Sequence, residues 1–233
     1  DQASGDVYVC LSDDGLFRSS DRGKTWERYV KGDGDVLKGR TETPGCFQFD
    51  PTGKTKRFVL ARVYGGPVVL GALDEGTWRV VDKKCQHVDW YAADWSDPEL
   101  KFAFAFKHEA GGVLFVTRDG GKSFAETPKG HGLGAWVFGA DTAVVALAKS
   151  KDHPKGGVLR TTDGGNTFAP VAEFVAVSLP KPQGDALFRL AEGALWRGRD
   201  NGLAWEQVPD IKDARYGPGF GKGPQHRYDP TKS

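Results

Sequence analysis

Thr117-Arg118-Asp119-Gly120-Gly121-Lys122-Ser123-Phe124 returns as Thr161-Thr162-Asp163-Gly164-Gly165-Asn166-Thr167-Phe168, and occurs earlier as Ser19-Ser20-Asp21-Arg22-Gly23-Lys24-Thr25-Trp26. The shared pattern is Ser/Thr-x-Asp-x-Gly-x-Ser/Thr-aromatic. Two worn copies complete the series. Gly71-Ala72-Leu73-Asp74-Glu75-Gly76-Thr77-Trp78 lacks one residue between Gly and Thr, and Gly198-Arg199-Asp200-Asn201-Gly202-Leu203-Ala204-Trp205 keeps the Asp, the Gly and the aromatic. Successive aspartates, Asp21, Asp74, Asp119, Asp163 and Asp200, are 53, 45, 44 and 37 residues apart. Repetition near this period belongs to propeller blades, each a four-stranded antiparallel sheet.

Each residue type has a local reason to be there. An Asp heading a turn accepts hydrogen bonds from backbone N–H groups just ahead of it. The Ser or Thr two residues earlier adds a second local bond. Gly23 and its counterparts supply a backbone conformation that other residues resist. The closing ring (Trp26, Trp78, Phe124, Phe168 or Trp205) is expected to point into the packing between sheets. The same carboxylates are also open to a catalytic or calcium-binding reading, but the turn reading accounts for the whole phrase.

Short apolar segments flank the turns, among them Asp6–Leu11, Gly15–Arg18, Val113–Val116, Gly157–Leu159 and Ala194–Trp196. Each reads as a strand. A weaker repeat lies upstream: Phe49-Asp50-Pro51-Thr52, Ser96-Asp97-Pro98 and Ala140-Asp141-Thr142. It fits the turn between the first two strands of a blade. Tyr228-Asp229-Pro230-Thr231 repeats it at the far end. From Asp50 to Asp74 is 24 residues; from Asp229 through the end and on from residue 1 to Asp21 is 25. The expected fold is therefore all-β: a five-bladed β-propeller of four-stranded antiparallel blades, one domain over 1–233. It is closed by the C-terminal strand pairing with the N-terminal blade, which is shared between about 1–30 and 213–233. Closure leaves no edge strand unpaired.

The recurring phrase resembles the Asp-box, or BNR, repeat of sialidase-like propellers. It is similar to turns in sialidases, xyloglucan-cleaving glycosidases, sortilin-type receptor ectodomains and the photosystem II assembly factor. The resemblance implies a propeller and no single activity, because a fold of this kind hosts unrelated functions. No Arg-Ile-Pro motif, arginine trio or Tyr/Glu nucleophile pair can be placed, which disfavours a sialidase.

Composition narrows the classes. The 233 residues carry 32 basic and 31 acidic side chains, a net charge of +1. Interspersed charges give no basic patch for nucleic acid. No apolar run approaches the roughly 20 residues needed to span a bilayer. The sequence begins at Asp1 and holds no Met, which reads as removal of a secretory signal and an extracytoplasmic (periplasmic or secreted) location. Three cysteines leave at least one without an intrachain partner. A disulfide between Cys46 and Cys85, both near inner strands of neighbouring blades, is open. No spacing suggests zinc, and no metal or cofactor is expected.

Strand order sorts the loops. The repeat turns occupy one face of the ring, so binding is expected on the other. His87, His108, His131 and His153 fall in or beside the loops of that face, with Trp90, Tyr91 and Trp136 at or just inside it. Imidazoles there suit metal or acid–base work; aromatic rings suit sugar stacking or a protein hot spot. The segment 30–45 adds Asp33, Asp35, Arg40 and Glu42, and paired carboxylates serve glycoside hydrolysis. No catalytic constellation is complete. The expected role is a non-enzymatic extracytoplasmic propeller that binds a protein partner or complex; the alternative is a glycan-binding module or glycoside hydrolase using the same face.

Overall fold

The computed structural model describes residues 4–11, 15–29, 44–50, 53–62, 67–108, 113–126, 130, 132–151, 153–173, 181–183, 186–191 and 194–209. These residues form strands, turns and loops, with no α-helix among them. The first sheet holds β1 (Val7–Leu11), β2 (Gly15–Ser19) and β3 (Glu27–Arg28). The second holds β4 (Pro44–Phe49), β5 (Arg57–Arg62), β6 (Val69–Ala72) and β7 (Thr77–Val80). The third holds β8 (Val88–Ala93), β9 (Ala103–Lys107), β10 (Leu114–Thr117) and β11 (Ala125–Glu126). The fourth runs β12 (Gly132–Val137), β13 (Ala143–Leu147), β14 (Gly157–Thr161) and β15 (Ala169–Ala172). The fifth runs β16 (Lys181–Gln183), β17 (Ala186–Ala191), β18 (Ala194–Arg199) and β19 (Ala204–Gln207). In every sheet the strands pair antiparallel in chain order.

Alternation along the inner strands builds the molecule. In β9, Ala103 and Ala105 join the core shared with the second sheet, while Phe104 and Phe106 join the core shared with the fourth. In β5, Val59 and Ala61 face the third sheet, and Phe58 and Leu60 face the first. In β13, Val145 and Leu147 face the third sheet, and Val144 and Ala146 the fifth. A period of two thus sends each strand's side chains into two different cores. Outer strands such as β7 alternate between exposed and half-buried residues instead. Burying one Phe or Leu side chain contributes about 1.5–3 kcal/mol. These stacked cores are the main stabilising feature of the fold.

The upstream Asp turns are also built as expected. Asp50 accepts the N–H and hydroxyl of Thr55 at 2.7 and 2.8 Å between β4 and β5. Asp97 accepts the N–H groups of Glu99 and Lys101 between β8 and β9 at 2.9 and 3.2 Å, and Asp94, which the sequence did not single out, accepts the N–H and hydroxyl of Ser96 at 2.9 and 2.5 Å.

Two expectations lie outside the described residues: the C-terminal seam strand at Tyr228–Ser233, and the charged side chains Asp33, Asp35, Arg40 and Glu42. Among the described residues β1 has a neighbour on one side only, and no core cluster joins the fifth sheet to the first. The disulfide left open between Cys46 and Cys85 is not formed. Cys85 is a free thiol with no solvent exposure, pushed up to about 12 by burial and then by Asp82.

Candidate functional site

The intact repeat turns share one bonding scheme. Asp163 accepts the Thr167 N–H at 2.9 Å, the Thr167 hydroxyl at 2.6 Å and the Thr161 hydroxyl at 2.8 Å. Asp119 makes the same bonds to Ser123 and Thr117, and Asp21 to Thr25 and Ser19. The hydroxyl of Thr25 holds the Asp21 carboxyl down to about 2, and that of Thr167 does the same for Asp163. Burial raises Asp119, but its bonds from Ser123 and Thr117 outweigh this and leave it at about 2. Carboxylates so satisfied stay ionised at neutral pH and cannot serve as general acids. Their role is to shape the turn.

These turns also seat each sheet on the one before it. A Cβ at Gly121, where φ is +84°, would stand 2.6 Å from Val81 of the second sheet. One at Gly165 would meet Val116 of the third at 3.3 Å. Phe124, Phe168 and Trp205 pack against the inter-sheet cores as expected. Trp26 departs: it is 43 % exposed. It belongs to the first sheet, and no preceding sheet covers it among the described residues.

The worn copies differ in kind. Asp200 and Asn201 both take positive φ, 51° and 53°, and Trp205 Nε1 still donates to Gly202 O at 2.9 Å. In the second copy the missing residue removes the scheme. Asp74 accepts only the adjacent Glu75 N–H, at 3.1 Å, and the buried Nε1 of Trp78 finds no acceptor among the described residues. The expectation that all five aspartates shape turns alike therefore holds for three.

On the opposite face, the innermost strands β4, β8 and β12 each carry a register break at their first residues. A bulge re-aims the side chain it carries. The bulged residues are Gly45, Asp89 and Leu133, so only the third sheet presents a charge there. Asp89 Oδ1 lies 2.7 Å from His108 Nδ1, at the end of β9. The His108 N–H donates to His87 O at 2.7 Å, and His87 takes φ 57°, a conformation uncommon outside glycine. Asp89 and His108 thus meet through their side chains, and His87 joins them through its backbone carbonyl. His153 sits in a turn of the fourth sheet, its N–H bonded to Ser150 Oγ at 3.1 Å. His131 lies outside the described residues.

The aromatic candidates go inward. Trp90, 9 % exposed, stacks on Phe106 with centroids 4.3 Å apart. Tyr91 is fully buried between the second and third sheets, and burial pushes its phenol far above the usual range. Trp136 is half-buried against the core of the fourth and fifth sheets. Inner strands are covered on both faces, so period-two alternation leaves them no free side.

Sequence reasoning passed over a cavity of about 590 Å³ between the first sheet and the second repeat turn. It is lined by Tyr8, Arg18, Arg28, Tyr29 and Asp74 among others. The signal for it was the residue missing from the second copy. Three or more His, Cys, Asp or Glu placed to hold a metal ion do not occur among the described residues.

No family model matches the chain. The solved structure of a GH74 xyloglucanase from Xanthomonas campestris superposes with TM-score 0.60 at 16% identity, over 88% of this chain and 37% of that one. A GH74 enzyme from Niastella koreensis gives 0.59 at 14%, over 90% and 37%. The fold is a β-propeller. In sequence, the chain is 26% identical to a probable oligoxyloglucan-reducing end-specific xyloglucanase of Neosartorya fischeri, over 85% of this chain and 28% of that protein. The chain therefore spans little more than a quarter of the curated relative it matches. This match corrects the expected non-enzymatic, partner-binding role, because the similar protein is a glycoside hydrolase and the similarity runs through most of the propeller. No helix of the described residues is long and apolar enough to cross a membrane.

Proposed function

We propose that this chain is a propeller unit of a xyloglucan-directed glycoside hydrolase, with the glycan running over the face opposite the repeat turns. The observation that carries this reading is the match to the oligoxyloglucan-specific enzyme through 85% of the chain. The bulged Asp89 is the group we assign to the glycan: its carboxylate is about half exposed and oriented by His108. Glycoside hydrolysis takes two carboxylates. The sequence between β3 and β4 carries Asp33, Asp35 and Glu42, and this is the source we propose for the second. Calorimetric titration of the chain with xyloglucan oligosaccharides tests the reading. Saturable binding that Asp89→Asn weakens is expected; no heat with any xyloglucan fragment contradicts it.

The ring we propose has five blades, with residues 213–233 supplying the strand missing beside β1. The exposure of Trp26 and the three-stranded first sheet support this. Removing 213–233 should lower the melting temperature and broaden unfolding. An unchanged transition contradicts closure.

A further inference from the structure

The worn second turn is one of two where the repeat gives up its own carboxylate bonds, and of those two it is the one that borders the cavities described on its face. One is the 590 Å³ cavity toward the first sheet; the other, about 370 Å³, lies toward the third and is lined by Trp78, Arg79 and Glu99. In the intact turns a carboxylate is used up by the bonds of its own loop. Asp74, one residue short of that geometry, keeps one local bond and lines the larger cavity.

The walls of that cavity are built. Asp6, 9 % exposed, is held by Arg18 at 2.8 Å, and Arg18 reaches Glu27 at 3.4 Å. Tyr8 and Tyr29 meet edge to face, centroids 5.3 Å apart, with the Arg18 guanidinium 5.7 Å from the Tyr29 ring centre. The Tyr29 hydroxyl donates to Leu73 O, which ties the first sheet to the worn turn. Four carboxylates and three cations line the space, several of them already paired with one another. Such a lining offers fixed donors and acceptors beside tyrosine rings with almost no net charge. It suits an uncharged polyhydroxylated ligand better than a phosphate or a cation. The volume lies within the usual range of about 300–1,000 Å³ for ligand pockets.

We infer that this cavity is a second oligosaccharide-binding site, on the face away from Asp89, in which Asp74 accepts sugar hydroxyls and Arg28 donates to them. Its ligand class rests on the glycan reading proposed above; its position does not. A chain that holds glycan at both faces grips a polymer at two points, which raises apparent affinity without any new contact at the reacting face.

Calorimetry with a xyloglucan oligosaccharide tests this on the wild-type chain and on Asp74→Asn, Arg28→Ala, Asp89→Asn and Asp200→Asn. Two sites per chain are expected. Asp74→Asn and Arg28→Ala should each weaken one of them by about tenfold or more, the loss typical of a hydrogen bond to a charged group. Asp200→Asn, in the other worn turn, should change nothing. One site, sensitive to Asp89→Asn and indifferent to Asp74→Asn, overturns this inference and leaves the loop-face reading standing. One site lost in Asp74→Asn and untouched in Asp89→Asn upholds the inference and overturns the loop-face reading. No binding at all overturns both. Unchanged circular dichroism and melting in Asp74→Asn keep the comparison free of folding effects.

Discussion

Asp89 Oδ1 stands 2.7 Å from His108 Nδ1, which joins the bulge that opens β8 to the end of β9. Both side chains are substantially exposed, so the pair rests on the surface of the blade and outside its cores. Asp89→Asn and His108→Ala should therefore leave stability within about 0.5 kcal/mol of wild type. Glycan affinity should fall in both. Urea melts and titrations on the same samples read the two effects separately.

The turn aspartates predict an acid limit. Asp21, Asp119 and Asp163 are held at about 2, below the ordinary 3.8. A carboxyl depressed by folding stabilises the native state above its unfolded value and loses that contribution as pH falls through its folded value. Stability should accordingly drop between about pH 4 and pH 2. Asp163→Asn should flatten that slope and lower the melting temperature at pH 7 by about 2–4 °C. Thermal melts across the pH series check it.

Packing between sheets predicts larger losses. Phe104 is fully buried between the third and fourth sheets. Phe104→Ala should cost about 3–5 kcal/mol. Gly121→Ala strains a φ of +84° and drives a Cβ onto Val81, at a cost of about 1–3 kcal/mol. Urea denaturation measures both.

Burial predicts the chemistry of Cys85. With no exposure and a thiol pushed up to about 12, it should not react with aromatic disulfide reagents in the native state. Rapid labelling of Cys85 in the native chain would show that the second and third sheets do not close over it.

What could be read from the sequence divides along the range of the forces involved. The intact turns were legible because their bonds run between residues two to four apart, as from Ser123 to Asp119. The strands beside them followed from alternation. The fate of Trp90 and Tyr91 was not legible, because alternation tells which residues share a face and not that both faces of β8 are covered. Asp89 passed unnoticed because a bulge is a register event between two strands. The Asp74 cavity was signalled by one missing residue, but its walls come from Tyr8 and Arg18, far away in the chain. The glycan reading was open in the sequence as the alternative, from loop carboxylates and aromatic rings; what favours it over partner binding is the similarity to another protein, which no local motif carries.

The central claim, that this propeller is directed at xyloglucan, is tested most directly by native electrophoresis of the folded chain in gels with and without the polysaccharide. The account predicts clear retardation in xyloglucan, reduced in Asp89→Asn and absent in a gel of an unrelated neutral polymer. Equal mobility of the wild-type chain in all three gels would contradict it.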